Sequence, residues 1–87
     1  MVGQVPLLYF ARVRDAVGLD EECRDLPDGA RTVRDLIASL VSLDVRYGEA
    51  FADPARIRCA IDQVMAPLDA PLDGAREIAF FPPVTGG

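Results

Sequence analysis

The stretch from Thr32 to Val41 restricts this chain more than any other. Val33, Leu36, Ile37, Leu40 and Val41 fall at i, i+3, i+4, i+7 and i+8, the spacing of one apolar stripe along an α-helix. Thr32 stands where an N-cap belongs, and Asp35, three residues later, completes a capping box that marks the helix start. A helix with one apolar stripe must lie on an apolar surface, and the segments that could supply it read as strands.

Val5 to Phe10 (VPLLYF) is β-rich and almost continuously apolar, which suits a central strand buried on both faces, with Pro6 near its beginning. Ala11 to Val17 reads as a short helical turn closed by Gly18. Asp20 to Leu26 (DEECRDL) reads as an edge strand whose charges discourage further pairing. Pro27-Asp28-Gly29 is a turn ahead of the main helix. Beyond that helix, Asp44 to Ala52 is a looser helical segment, pinned by Tyr47 and Phe51 and stopped by Asp53-Pro54. Arg56 to Ile61 is a third strand, turning at Asp62-Gln63 into the short Val64-Met65 stretch. A loop punctuated by Pro67, Pro71 and Gly74 leads to the last strand, Glu77 to Phe81.

This order implies an α+β domain with the β-grasp, or ubiquitin-like, architecture. A mixed sheet of about five strands packs on one main helix with short extra helical turns, and the first and last strands are central neighbours. At 87 residues there is one core and one domain, expected over residues 1–81, with a tail over 82–87.

Composition narrows the function. The formal net charge is −5 and no basic run occurs, so nucleic acid is not an expected partner. The apolar runs are too short to span a membrane and no signal peptide is evident, so the expected location is cytoplasmic. With no His and 2 Cys outside C-x-x-C spacing, the parts for a zinc site or a His-assisted nucleophile are missing. Cys59 alternates with Ile57 and Ile61 and reads as core, whereas Cys23 falls in the acidic edge strand. All 9 basic residues are Arg. Codon bias explains that most simply; protection of a reactive acyl terminus from the chain's own amines is a second reading.

The ending FFPPVTGG poses the functional question. Alternation sends Ile78 and Phe80 to one face of the last strand and Ala79 and Phe81 to the other, which makes Phe81 a candidate for partner contact or for burial in a side cluster. Pro82 and Pro83 lack backbone donors, so the sheet stops there and the chain points outward. From Pro82 to Gly87 the extended chain reaches roughly 20 Å at the usual rise per residue. Gly86 and Gly87 can pass a channel too narrow for a side chain and present the terminal carboxylate. That carboxylate is inert until activated, so the reading is a carrier whose partners supply catalysis.

The ending EIAFFPPVTGG closely resembles the C-terminus of the small subunits of molybdopterin synthase, ubiquitin-like sulfur carriers. The opening LLYFARVRDAVG resembles that family's first strand and turn, and the similarity runs from Val5 to Gly87. The resemblance implies that Gly87 is adenylated by an ATP-dependent, ubiquitin-activating-like enzyme and converted to a thiocarboxylate. It also implies a hetero-oligomer in which the large synthase subunit binds Phe81 and takes in the tail Pro82, Pro83, Val84, Thr85 and Gly86. The sulfur on Gly87 would then build the dithiolene of molybdopterin from cyclic pyranopterin monophosphate. No cofactor is expected on the chain itself, ATP being used by the activating enzyme. Two turns depart from the family pattern: Asp62-Gln63, and Asp73-Gly74-Ala75-Arg76 before the last strand. The alternatives are a related β-grasp protein serving thiazole, cysteine or tRNA thiolation or acting as a protein modifier, and a β-grasp binding module without covalent chemistry.

Overall fold

The computed structural model describes residues 4–83. Along the chain these form β1 (Val5–Tyr9), α1 (Ala11–Val17), β2 (Glu21–Arg24), α2 (Val33–Leu43), α3 (Val45–Ala50), a 3-10 turn (Pro54–Arg56), β3 (Arg58–Ile61), β4 (Val64–Ala66) and β5 (Ile78–Phe81). The strands make one sheet in the order β2-β1-β5-β3-β4. β1 and β5 pair in parallel at its centre, Leu7 opposite Ile78 and Tyr9 opposite Phe80, and every other pair is antiparallel. This is the mixed five-stranded β-grasp arrangement that the element order implies.

α2 begins where the sequence places it. Asp35 N–H donates to Thr32 Oγ1 at 3.2 Å, and Thr32 N–H donates back to Asp35 Oδ2 at 3.2 Å. The two helix donors between them are satisfied by the loop before β5: Val33 N–H bonds Ala70 O and Arg34 N–H bonds Leu68 O. Every donor of the first turn thus has a partner, which fastens the long loop to the helix. Val33, Leu36 and Leu40 are buried in the core with Leu7, Tyr9, Ile78 and Phe80. Phe80 is central, its ring stacked on Tyr9 at 6.1 Å and edge-on to Phe51 at 5.1 Å.

Several expectations need correction. β1 ends at Tyr9, because Phe10 turns the chain into α1 as its N-cap and is 47% exposed. β1 is not buried on both faces: Val5, Leu7 and Tyr9 are buried, while Pro6 and Leu8 are only half-buried, because the helices cover one face of the sheet. Val41 is exposed rather than part of the sealed stripe: Val33, Leu36 and Leu40 form the buried line of α2, and at 3.6 residues per turn Val41 falls at its flank, beyond half-buried Ile37. β3 starts at Arg58, because Asp53 caps a 3-10 turn through Ala55 N–H and holds Pro54–Arg56 out of the strand.

The acidic edge strand is tied to the helices by side chains. Tyr9 and Tyr47 both donate their hydroxyls to Glu22 Oε2, at 2.7 and 2.5 Å, and Arg24 reaches Glu22 Oε1 at 3.0 Å and the Tyr47 hydroxyl at 3.1 Å. Burial, reinforced by the bond to Glu22, pushes the Tyr9 phenol well above the usual tyrosine range, and burial also raises Tyr47. No helix among the described residues is long and apolar enough to cross a membrane.

Candidate functional site: the face and root of the tail

The pleat of β5 decides what surrounds the tail. Ile78 and Phe80 point under the helices and are fully buried, while Ala79 and Phe81 are half-buried on the uncovered face. The strand does not bulge, so the two adjacent phenylalanines part as their alternation requires. Around Phe81 on that face lie Leu8, Ala60 and Ala79, by strand register, with Arg58 directly opposite Phe81 in β3. Met65, opposite Ala60 in β4, extends the same surface and is 62% exposed.

Phe10 completes the surface at the end where the tail leaves. Its N–H bonds Phe80 O at 3.1 Å, continuing the parallel ladder one residue past β1. Sequence reading singled out Phe81 but missed Phe10 and Met65. Strict alternation in VPLLYF places Leu8 and Phe10 on the face opposite Leu7 and Tyr9, and that signal was masked by reading the run as uniformly buried. Met65 carried no such signal, because only strand pairing brings β4 beside β3.

The sheet stops at Phe81, and Pro82 and Pro83 are half-buried. They line a groove of about 350 Å³ between α1 and the α3 to 3-10 segment, with Arg12 and Val13 on one side and Asp53, Arg56 and Ile57 among the residues on the other. The double proline is therefore seated against the domain as it leaves the sheet. Arg56 and Asp53 approach at 3.6 Å, a solvent-exposed pair of small energetic weight. Val84, Thr85, Gly86 and Gly87 lie outside the described residues. A larger open hollow of about 820 Å³ lies by Val5, Leu26, Leu72 and the turn at 73–76, and neither Phe81 nor the two prolines line it.

The two turns that depart from the family pattern meet in space. Asp62 Oδ1 accepts from Arg76 N–H at 2.8 Å and from Glu77 N–H at 3.0 Å, and Asp62 N–H donates to Glu77 O at 2.9 Å. Both Asp62 and Gln63 have positive φ, 52° and 71°, as a two-residue hairpin turn with the twist of its strands requires. The carboxylate of one loop thus anchors the other at the entry to β5, the strand that delivers the tail.

Comparison with known proteins agrees with this geometry. The chain matches the ThiS family over residues 7–87. It is 38% identical over 85 residues to the molybdopterin synthase sulfur carrier subunit of Escherichia coli, covering 95% of this chain and 99% of that protein. Among solved structures it superposes on a putative molybdopterin converting factor, subunit 1, from Pyrococcus furiosus, with a TM-score of 0.71 and 34% identity, covering 94% and 99% of the two chains. It also superposes on SAMP1 from Haloferax volcanii, with a TM-score of 0.68 and 26% identity, covering 98% and 100%. From its central parallel strands to its proline-seated exit, the chain belongs to the ThiS family and has the β-grasp fold of the sulfur carrier subunits it resembles.

Proposed function

We propose that the chain is the sulfur carrier subunit of a molybdopterin synthase, with Gly87 as its reactive terminus. The observation that carries this reading is the nearly full-length similarity, 38% identity over 95% of the chain, to a protein of that description. The chain brings a terminus and a docking face; its partners bring the catalysis.

A terminal carboxylate is anionic at neutral pH and has no leaving group. An ATP-dependent adenylating enzyme of the ubiquitin-activating kind provides one. A carboxylate oxygen of Gly87 attacks the α-phosphorus of ATP, pyrophosphate departs, and an acyl-adenylate forms. A sulfur donor equivalent to hydrosulfide then attacks the carbonyl carbon, the carbon to oxygen bond breaks, and AMP leaves with the electron pair. The product is a thiocarboxylate on Gly87. ATP is consumed on the adenylating enzyme, and the carrier holds no cofactor.

The large synthase subunit docks on the uncovered sheet face, with Phe81 as an anchor beside Phe10 and Met65, and admits Pro82 to Gly87 to its active site. A half-buried aromatic flanked by apolar side chains and an Arg is the composition of an interface centre. Gly86 and Gly87 have no side chains to obstruct a narrow channel. The sulfur enters cyclic pyranopterin monophosphate, and a dithiolene, having two sulfurs, draws on two loaded carriers.

The test is an intact mass after incubation with ATP, a cognate adenylating enzyme and a sulfur donor. The expected result is replacement of one oxygen by sulfur, mapped to Gly87. An unchanged mass, with an enzyme that loads another carrier in parallel, overturns the reading. The likeness to SAMP1 favours a second reading in which the acceptor is another protein. Purified large subunit and pterin precursor distinguish the two: a synthase carrier yields dithiolene product, whereas a carrier dedicated to another acceptor yields none.

A further inference from the structure

Arg58 stands directly opposite Phe81 in strand register and lies on the uncovered face, because its neighbour Cys59 turns into the core and is fully buried. Its guanidinium is already held. Nη1 donates to Ala55 O at 3.2 Å and to Ile57 O at 3.1 Å, carbonyls of the 3-10 turn and of the residue that ends it. Nε and Nη2, which form the other edge of the planar fork, have no partner among the described residues. That open edge matches a carboxylate through two parallel N–H···O bonds.

Other arginines use the same edge within the chain. Arg14, Arg24, Arg34, Arg46 and Arg56 each turn Nε toward an aspartate or glutamate of the chain itself, at 2.9 to 3.8 Å. Arg58 makes no such pair. By register, one row across the uncovered face reads Glu21, Leu8, Ala79, Ala60 and Met65. Glu21, the acid of that row, stands three strands away from β3, roughly 14 Å at the usual strand spacing, too far to pair with Arg58. With 14 acidic against 9 basic side chains the chain has carboxylates in excess, so an open guanidinium beside Phe81 reflects placement, not scarcity.

We propose that Arg58 is a specificity-determining residue of the docking face, its open edge taking an aspartate or glutamate carboxylate of the large synthase subunit next to the Phe81 contact. This rests on the carrier reading and deepens it by naming the group the partner presents. Holding one guanidinium nitrogen on backbone carbonyls lowers the entropy cost of ordering a long side chain, so the pair forms more readily than at a free surface arginine. Phe81 by itself accepts many apolar partners. A bidentate ion pair beside it favours a partner with a carboxylate at that point and rejects one with a cation there.

Calorimetry of the full-length chain with purified large subunit tests the pairing. Arg58→Gln should weaken binding about tenfold and Arg58→Glu about a hundredfold, while Arg58→Lys, which keeps the charge but not the fork, should lose less than Arg58→Gln. Arg46→Gln removes the same charge from α3, in the helix layer, and should bind within about twofold of the original chain. Raising salt from about 50 to about 500 mM should weaken the original complex more than the Arg58→Gln complex. Circular dichroism checks that all variants share one fold. The proposal is overturned if Arg58→Gln binds within about twofold of the original, or if Arg46→Gln weakens binding as much as Arg58→Gln does. Phe81→Ala separates the two levels of failure: if it weakens binding while Arg58→Gln does not, the docking face stands and only the carboxylate pairing falls. If the large subunit does not bind the original chain at all, the synthase reading fails and the pairing with it.

Discussion

Phe80 and Phe81 are adjacent residues of one type in one strand, and they serve opposite ends. Phe80 is fully buried between Tyr9 and Phe51, while Phe81 is half-buried on the face that no helix covers. The difference comes from the pleat, which turns successive side chains to opposite faces, combined with a helix layer on only one of them. One strand can therefore hold the core together and also leave an aromatic on the uncovered face at the point where the tail begins. What separates core from surface here is the parity of a residue number.

Truncating the two rings is the most direct way to break that comparison. Phe80→Ala should destabilise the domain by about 3–5 kcal/mol, the range for a large aromatic removed from a packed core, read from urea unfolding midpoints. Phe81→Ala should cost less than about 1 kcal/mol of stability yet weaken large-subunit binding by about 1–3 kcal/mol in calorimetry. Equal losses of stability at both positions would mean that the uncovered face is part of the core after all.

Smaller changes sharpen the picture at the sheet edges. Glu22→Gln keeps an acceptor for Tyr9 and Tyr47 but removes the charge that strengthens both bonds and pairs with Arg24, at an expected cost of about 1–2 kcal/mol. The same cluster sets an alkaline limit. Folding holds the Tyr9 and Tyr47 phenols protonated, whereas the unfolded chain releases those protons near pH 10. Above that pH the unfolded state binds fewer protons, so this contribution to stability is intact below about pH 10 and declines as pH rises further. Tyr9→Phe should flatten the decline in unfolding midpoints measured between about pH 8 and pH 11. The smallest effect is expected at Gln63, whose φ of 71° suits glycine. Gln63→Gly should raise stability by up to about 1 kcal/mol, because relief of the left-handed strain is partly offset by glycine's extra freedom when unfolded.

How legible these features were follows from the range of the interactions that make them. The α2 cap, the Gly18 terminus of α1 and the opposed pair Phe80 and Phe81 depend on residues within four positions of one another, and local pattern was enough to place them. The one-sided burial of β1 and the exposure of Val41 depend on how much of each element its neighbours cover, which no short window contains, whereas the 3-10 turn before β3 rests on the local Asp53 cap. At the candidate site, Phe81 and the two prolines were legible from alternation and backbone chemistry. Met65 and Arg58 come beside Phe81 only through pairing across β3, β4 and β5.

The sequence by itself determined the element order, the capping of the main helix, the alternation of the last strand and a tail of small and donor-free residues, because each follows from the sterics and periodicity of neighbouring residues. Tertiary structure alone decided that Asp62 anchors the entry to β5, that Glu22 gathers two tyrosines from distant elements, and that Arg12 and Arg56 flank the groove seating Pro82 and Pro83. Those contacts join residues far apart along the chain, and their geometry exists only once the parallel pairing of β1 with β5 has closed the sheet beneath α2.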